Sequence, residues 1–256
     1  MMANTALSLF DDVKHFSELP ESDPELKTFL NYNPDHNRYT AQQNYPGRNP
    51  NETDRGGWRG YDRVYSKYFK DIRDTPVNLL EIGIMRGHGL LAWQRYFKAG
   101  KVTGIDNEMD SSRILTMHQL ALDFPEFKRT KQEYMDSTNP DHWLGFTPGE
   151  FDIIIDDGGH HPDTQLGTFA CAWKYLKSGG LYFIEDISHR YTEAKLEKLA
   201  KMLTTIKDEG HEMEIVHHIN TGLDHILNTP SERRKHNIHP DAPNNAMEYI
   251  VAIRKK

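Results

Sequence analysis

The chain has 256 residues, with 31 Lys and Arg against 38 Asp and Glu and a formal charge of -7 with histidine neutral. That length suits one large domain or two small ones and supplies an ample core, so no disulfide or structural metal is needed to fold it. A single cysteine, Cys171, excludes a disulfide framework and a cysteine-based zinc site, and the acidic balance argues against nucleic-acid backbone binding.

No apolar run reaches the roughly 18 residues of a membrane span. The N-terminus, MMANTALSLFDDVKHF, meets acids too early for a secretory signal. A soluble cytoplasmic protein without membrane or nucleic-acid partners is the default expectation.

In chain order, the first marked feature is residues 31–61, which contain no Ile, Leu, Val or Met. Tyr32, Tyr39, Tyr45, Trp58 and Tyr61 stand there among Asn, Pro, Gly, Gln and Arg. Such a stretch cannot supply a regular core face and reads as a long loop or lid. It is either a floppy linker or an aromatic, Asn-rich wall over a polar ligand. Residues 1–60 are accordingly set apart as an N-terminal extension.

From Tyr61 to Arg73 the spacing predicts an amphipathic helix with Tyr61, Val64, Tyr65, Tyr68 and Phe69 on one face. Short apolar runs then alternate with helical stretches. The runs are 77–82, 101–106, 151–156 and 180–185, with a weaker one at 128–133 and two more near 213–218 and 248–254. The helical stretches are 89–98, 111–123, 164–177 and 192–209, and Lys177-Ser178-Gly179-Gly180 reads as a helix stop. Residues 228–245 are rich in Pro, Asn and charge and read as a second long loop. Compact, β-branched runs alternating with helices predict a doubly wound α/β sheet, mostly parallel and buried on both faces.

Ligands of such sheets lie beyond the carboxyl ends of the strands. There the runs end in Glu81, Asp106, Asp156 with Asp157, and Glu185 with Asp186. An acidic row at one sheet edge repels itself unless cationic ligands or hydroxyl groups meet it. After Glu81 come Gly83, Gly87 and Gly89, which let a ligand approach the backbone and let a helix start close to the strand. A dinucleotide site is a rival reading, with Asp106 as the ribose acid, but the glycine spacing lacks the initial G-x-G pair.

E-x-G-x-x-x-G followed by an acid at the end of the second run resembles the class I S-adenosylmethionine-dependent methyltransferases. The resemblance implies a Rossmann-like fold with a mostly parallel seven-stranded sheet over residues 61–256, and S-adenosylmethionine as cofactor. It further implies that Gly83 and Gly87 line the cofactor, Gly89 approaches its carboxylate, Asp106 holds the ribose, and Glu81 orders the loop and the amino group. The adenine side would lie near residues 132–137, with Asp136 as candidate.

Two more groups sit at the strand ends: Asp156-Asp157-Gly158-Gly159-His160-His161, and Glu185-Asp186 with His189 shortly after. Three carboxylates can converge there, and hard oxygen donors suit Mg²⁺ or Mn²⁺ better than zinc. The bland alternative is that Asp157 and His160 cap the helix starting near Pro162, which leaves the second acidic pair unexplained. The string IIIDDGGHH with LKSGGLYFIEDI resembles the metal-dependent sugar O-methyltransferases of macrolide pathways, the mycinamicin type, and the cephalosporin-hydroxylase-like group. Those carry D-D-G-S-H and E-D at matching places, and Gly159 here replaces the usual Ser.

By that resemblance Asp157, Glu185 and Asp186 are metal ligands and His160 is the general base, while Asp156 supports them or touches the cofactor. The acceptor would be a hydroxylated small molecule, a saccharide by preference, and the enzyme a homo-oligomer. His189 is a candidate substrate contact, one of His217 and His218 should face inward, and His211, His225, His236 and His239 should be solvated. Trp93, Tyr96 and Phe97 are most simply core. Competing readings are a catechol or phenol O-methyltransferase, a metal-dependent hydrolase and a non-catalytic cofactor-binding scaffold.

Overall fold

The alternation of strand and helix patterns becomes a single mixed sheet flanked by helices in the computed structural model, which describes residues 14–15, 18–30, 61–188, 193–219 and 247–256. Residues 31–60 and 228–245, both read as long loops, lie outside the described residues, as do His189, His225, His236 and His239.

The strands are β1 (Lys14–His15), β2 (Asn78–Ile82), β3 (Lys101–Asp106), β4 (Lys131–Tyr134), β5 (Phe151–Asp156), β6 (Leu176–Ser188), β7 (Glu212–Ile219) and β8 (Met247–Arg254). Their spatial order is β1-β7-β8-β6-β5-β2-β3-β4. Pairings among β2, β3, β4, β5 and β6 are parallel, and β8 runs antiparallel between β6 and β7. The seven expected strands are present, and the two-residue β1 adds an eighth beside β7.

The helices are α1 (Pro24–Leu30), α2 (Tyr61–Phe69), α3 (His88–Tyr96), α4 (Ser111–Asp123), α5 (Pro162–Ala172) and α6 (Glu193–Asp208). No helix among the described residues is long and apolar enough to cross a membrane.

Period-two alternation sends the strand residues into two separate cores. Leu79, Val102, Ile153, Ile155, Leu181 and Phe183 face α1 to α4, while Leu80, Ile105, Ile154, Tyr182 and Ile184 face α5 and α6. Leu26 and Leu30 of α1 are buried in the first core, so this part of the N-terminal extension packs against the sheet domain.

Helix limits follow local chemistry. α4 starts where expected because the Asp110 carboxylate accepts the Arg113 backbone N–H as its N-cap. α2 stops at Phe69, short of Arg73, and continues in turns closed by the Thr75 hydroxyl on the Ile72 carbonyl. Arg73 there pairs with Asp23 and Glu25 of the α1 region.

The stop expected at 177–180 comes earlier, at Ala172, followed by a 3₁₀ turn at Trp173–Tyr175. Lys255 Nζ donates to the carbonyls of Trp173 and Leu176 at 2.7 and 2.8 Å and satisfies the chain there. Gly179, at φ 80°, makes an excursion within β6.

Candidate active site at the strand ends

β2 is flanked by β3 on one side and β5 on the other, and the chain reverses its direction of winding between β2 and β5. Such a switch point leaves a crevice beyond the carboxyl ends of the strands. The glycine loop and the Asp156–His161 segment meet at that place. Gly83 N–H donates to Ile105 O at 2.8 Å, and Asp157 N–H to Ile82 O at 2.9 Å.

Gly83 has φ 84°, and a Cβ on it would stand 2.2 Å from the Asp157 carbonyl oxygen. Its glycine character is therefore required by the close passage of β5 as well as by the turn. Gly87, at φ 83°, opens α3, and a Cβ there would press on Phe127 and Met117. Gly89 lies in the first turn of α3. Met85 also takes a left-handed backbone, at φ 47°.

Asp106 ends β3 and ties this loop down. Its Oδ2 accepts the backbone N–H groups of Ile84 and Met85 at 3.0 and 2.9 Å. Oδ1 accepts from Glu108 N–H at 2.8 Å and from Arg113 at 3.2 Å. A carboxylate offers about four lone-pair positions, so the chain's own donors fill them, and a ribose hydroxyl would have to share one. Arg113 was not singled out from the sequence; a basic residue seven positions past a strand-end acid, in the first turn of the next helix, was the available signal.

Glu81 is buried at the end of β2, on the face shared with α2 and α3. Asp136 sits after β4, where Oδ1 accepts both the hydroxyl and the backbone N–H of Thr138 at 2.7 and 2.9 Å. Those bonds, the hydroxyl's first, hold its carboxyl below the usual range. Asp156 faces the second core, where Tyr182 donates to it at 3.4 Å. Burial pushes its carboxyl up to about 7, against the pull of the Gly158 N–H and the Tyr182 hydroxyl.

The acid–histidine group assembles at the open end of the crevice. Asp157, His160 and Asp186 each present a ligand atom, all within 4.8 Å of one another. His160 Nε2 lies 3.6 Å from Asp186 Oδ2 and 3.9 Å from Asp157 Oδ1. The His160 side chain is 48% exposed and that of Asp186 only 10%. Neither Asp157 nor His160 caps α5: its N-cap is His161, without a side-chain cap bond, and Pro162 follows. At Gly159 a Cβ would stand 2.7 Å from the Thr164 methyl carbon, so this chain fills with Thr164 the room that a serine there would need.

Glu185 stands apart from that group of three. Its parity in β6, two residues after Phe183, turns it toward α2, where its Oε1 accepts the Tyr65 hydroxyl. Gln165 of α5 donates to the Glu185 carbonyl at 3.0 Å. Asp186 has φ 55°, and its Oδ1 accepts the Tyr61 hydroxyl at 2.8 Å. Tyr61 and Tyr65 belonged to the apolar face in the sequence reading. A buried tyrosine needs a partner for its hydroxyl, and a helix face carrying three tyrosines held that signal.

With the geometry in place, the chain can be set beside known proteins. No family profile matches it. It is 33% identical over 146 residues to the L-olivosyl-oleandolide 3-O-methyltransferase of Streptomyces antibioticus, covering 53% of this chain and 34% of that protein. It is 30% identical over 147 residues to the 8-demethyl-8-(2-methoxy-alpha-L-rhamnosyl)-tetracenomycin-C 3'-O-methyltransferase of Streptomyces olivaceus, with the same coverage of 53% and 34%. The mycinamicin VI 2''-O-methyltransferase of Micromonospora griseorubida is 30% identical over 138 residues, covering 50% and 31%.

The match thus spans about a third of each curated relative. The resemblance to sugar O-methyltransferases stands on these relatives. Among solved structures, a putative O-methyltransferase from Klebsiella pneumoniae superposes with a TM-score of 0.55 at 13% identity, over 98% of this chain and 97% of that one. The MycE methyltransferase of the mycinamycin biosynthetic pathway, in complex with Mg and SAH, superposes with a TM-score of 0.50 at 21% identity, over 79% and 50%.

The fold is the Rossmann-like methyltransferase fold. At the switch-point crevice of that fold the glycine loop meets the segment that carries Asp157 and His160.

Proposed function

We propose that the chain is an S-adenosylmethionine-dependent O-methyltransferase. It methylates a hydroxyl of a sugar, or of a sugar carried on a larger small molecule, with a divalent ion, Mg²⁺ or Mn²⁺, at the site. The observation that carries this reading is the convergence of Asp157, His160 and Asp186 beside the glycine loop. The relatives support it, since those three are named as O-methyltransferases of sugar-bearing compounds.

The donor set fits a hard divalent cation, because two carboxylates supply oxygen at one point and leave other positions to water or substrate. Asp157 and Asp186 would hold the ion, with Glu185 behind them. When bound, the ion would orient the acceptor hydroxyl and lower its pKa. S-adenosylmethionine is a cation, and the carboxylates of Glu81 and Asp157 at the strand ends would offer it the opposite sign. Gly83, Gly87 and Gly89 shape the loop beside it, while Asp106 fixes that loop and Asp136 fixes the turn on the adenine side.

Methyl transfer needs the oxygen in line with the S–CH₃ bond, so positioning supplies much of the rate. His160 is partly exposed and presents Nε2 beside both carboxylates. From there it takes the acceptor's proton as the methyl group moves. The homo-oligomer implied by the resemblance belongs to this proposal as well.

Calorimetric titration with S-adenosylmethionine, then with Mn²⁺, tests the reading. Saturable binding of both is expected. Absence of cofactor binding sinks the methyltransferase assignment and leaves a metal-dependent hydrolase.

A further inference from the structure

We propose that Tyr61 and Tyr65 of α2 are positioning residues that aim the two adjacent carboxylates at the end of β6, and so set the affinity and geometry of the divalent-ion site. The proposal rests on the metal reading above and goes beyond it, by placing control of the site on a helix outside the strand-end loops.

Three observations carry it. The first is the geometry of the pair. Positions 61 and 65 are one turn apart, so both rings leave the same face of α2. Their hydroxyls reach consecutive residues: Tyr61 donates to Asp186 Oδ1 at 2.8 Å, and Tyr65 donates to Glu185 Oε1. Both tyrosines are fully buried, so these are charge-assisted bonds shielded from water.

The second is the backbone of the acids. Consecutive strand residues point to opposite faces, so one helix cannot bond both side chains of a regular strand. β6 is irregular at this place: its register with β8 shifts between Ile184 and Ile187, and Asp186 is at φ 55°. A left-handed non-glycine residue is strained and persists where its surroundings hold it. Here the surroundings are Tyr61, Tyr65 and the Gln165 amide on the Glu185 carbonyl.

The third is the division of the Asp186 oxygens. Oδ1 is taken by Tyr61, while Oδ2 faces His160 Nε2 at 3.6 Å. The tyrosine thus selects which oxygen the site uses and fixes the plane of the carboxylate. Partners of this kind, one bond behind the ligand, commonly change metal affinity about 10–100-fold.

The test is a Mn²⁺ titration of the whole protein, read by calorimetry and by the electron paramagnetic resonance of free Mn²⁺. Tyr61→Phe and Tyr65→Phe remove only the hydroxyls, and each should weaken Mn²⁺ binding by about tenfold or more, with S-adenosylmethionine affinity unchanged. Tyr68→Phe is the control: it lies on the same helix, but its hydroxyl goes to Glu214 at 2.8 Å, away from the site. It should leave Mn²⁺ binding as in the parent, which separates aiming of the site from general loss of a buried hydroxyl.

If Tyr61→Phe does not fold, Tyr65→Phe carries the same expectation. Mn²⁺ affinities equal to the parent's in both variants overturn the positioning role while the metal site stands. A parent protein that binds S-adenosylmethionine but no Mn²⁺ overturns the metal reading and this role with it.

Discussion

Tyr61 and Asp186 stand 125 positions apart in the chain, and a 2.8 Å hydrogen bond from the tyrosine hydroxyl leaves the other Asp186 oxygen 3.6 Å from His160. One carboxylate thus joins a helix of the first core to the imidazole at the crevice mouth. Its buried side is held by the fold, and its outer side is left to chemistry.

The outer side makes His160 the residue to remove first. His160→Ala should lower turnover by roughly 10²–10⁴-fold, the usual share of a general base. Cofactor affinity should not change, because the imidazole lies beside the acids and not on the glycine loop. Steady-state kinetics with a cofactor titration separate the two effects, and undiminished turnover would remove His160 as the base.

Gly83→Ala should damage folding before it damages chemistry. Its Cβ would meet the Asp157 carbonyl oxygen, and φ 84° disfavours any side chain. The strain alone is worth about 1–3 kcal/mol, and the contact with β5 adds to it. Thermal melting of the apo protein checks this, and an unchanged melting temperature would mean that the two strand ends are not packed as described.

Asp106→Ala should release the loop after β2. Four donors lose their acceptor: the N–H groups of Ile84, Met85 and Glu108, and the Arg113 guanidinium. Leaving such donors unmet costs about 1–3 kcal/mol. Hydrogen exchange at the Ile84 and Met85 amides should accelerate in the absence of cofactor. A variant with parental exchange and stability but poor cofactor binding would show that Asp106 serves the ribose alone.

Alkaline pH should unfold the protein through its buried tyrosines. Burial first, then a carboxylate partner, raises the pKa of Tyr68 beside Glu214, of Tyr96 beside Asp23 and of Tyr182 beside Asp156. The folded values lie above the unfolded 10.0, so the native state retains protons that the unfolded chain releases. Stability from this source is fully present below pH 10 and is lost as pH rises beyond it. Urea midpoints measured on either side of pH 10 should fall with pH, and Tyr68→Phe should lessen the fall. A constant midpoint would contradict the burial of these hydroxyls.

The order of elements was legible because the central strands β2, β3 and β5 are buried on both faces and the helices on one, which writes two distinct periods into the chain, whereas the exposed edge strand β4 left only a weak run. The run 151–156 is β5 without adjustment, and the helical stretch 111–123 is α4 without adjustment. The end of α5 was not legible. The group that closes it, Lys255, lies at the far end of the chain and comes near only through the antiparallel β8.

The site shows the same division. Asp157 and His160 are three residues apart, and their meeting is a local matter of one turn. Asp186 joins them across the sheet, as the strand-end argument anticipated. That Glu185 reaches Tyr65 while its neighbour Asp186 reaches both Tyr61 and His160 depends on a bulge and a left-handed residue that no periodicity encodes. At Asp106 the strand-end position was legible, but not that its oxygens also accept the donors of the neighbouring loop.

The most direct test of the central claim is transfer of a labelled methyl group from S-adenosylmethionine across a panel of glycosylated and phenolic acceptors, with and without chelator. Transfer to a sugar hydroxyl that chelation abolishes and Mg²⁺ restores is expected. Transfer confined to phenols, or transfer to a sugar that continues undiminished in chelator, would contradict it.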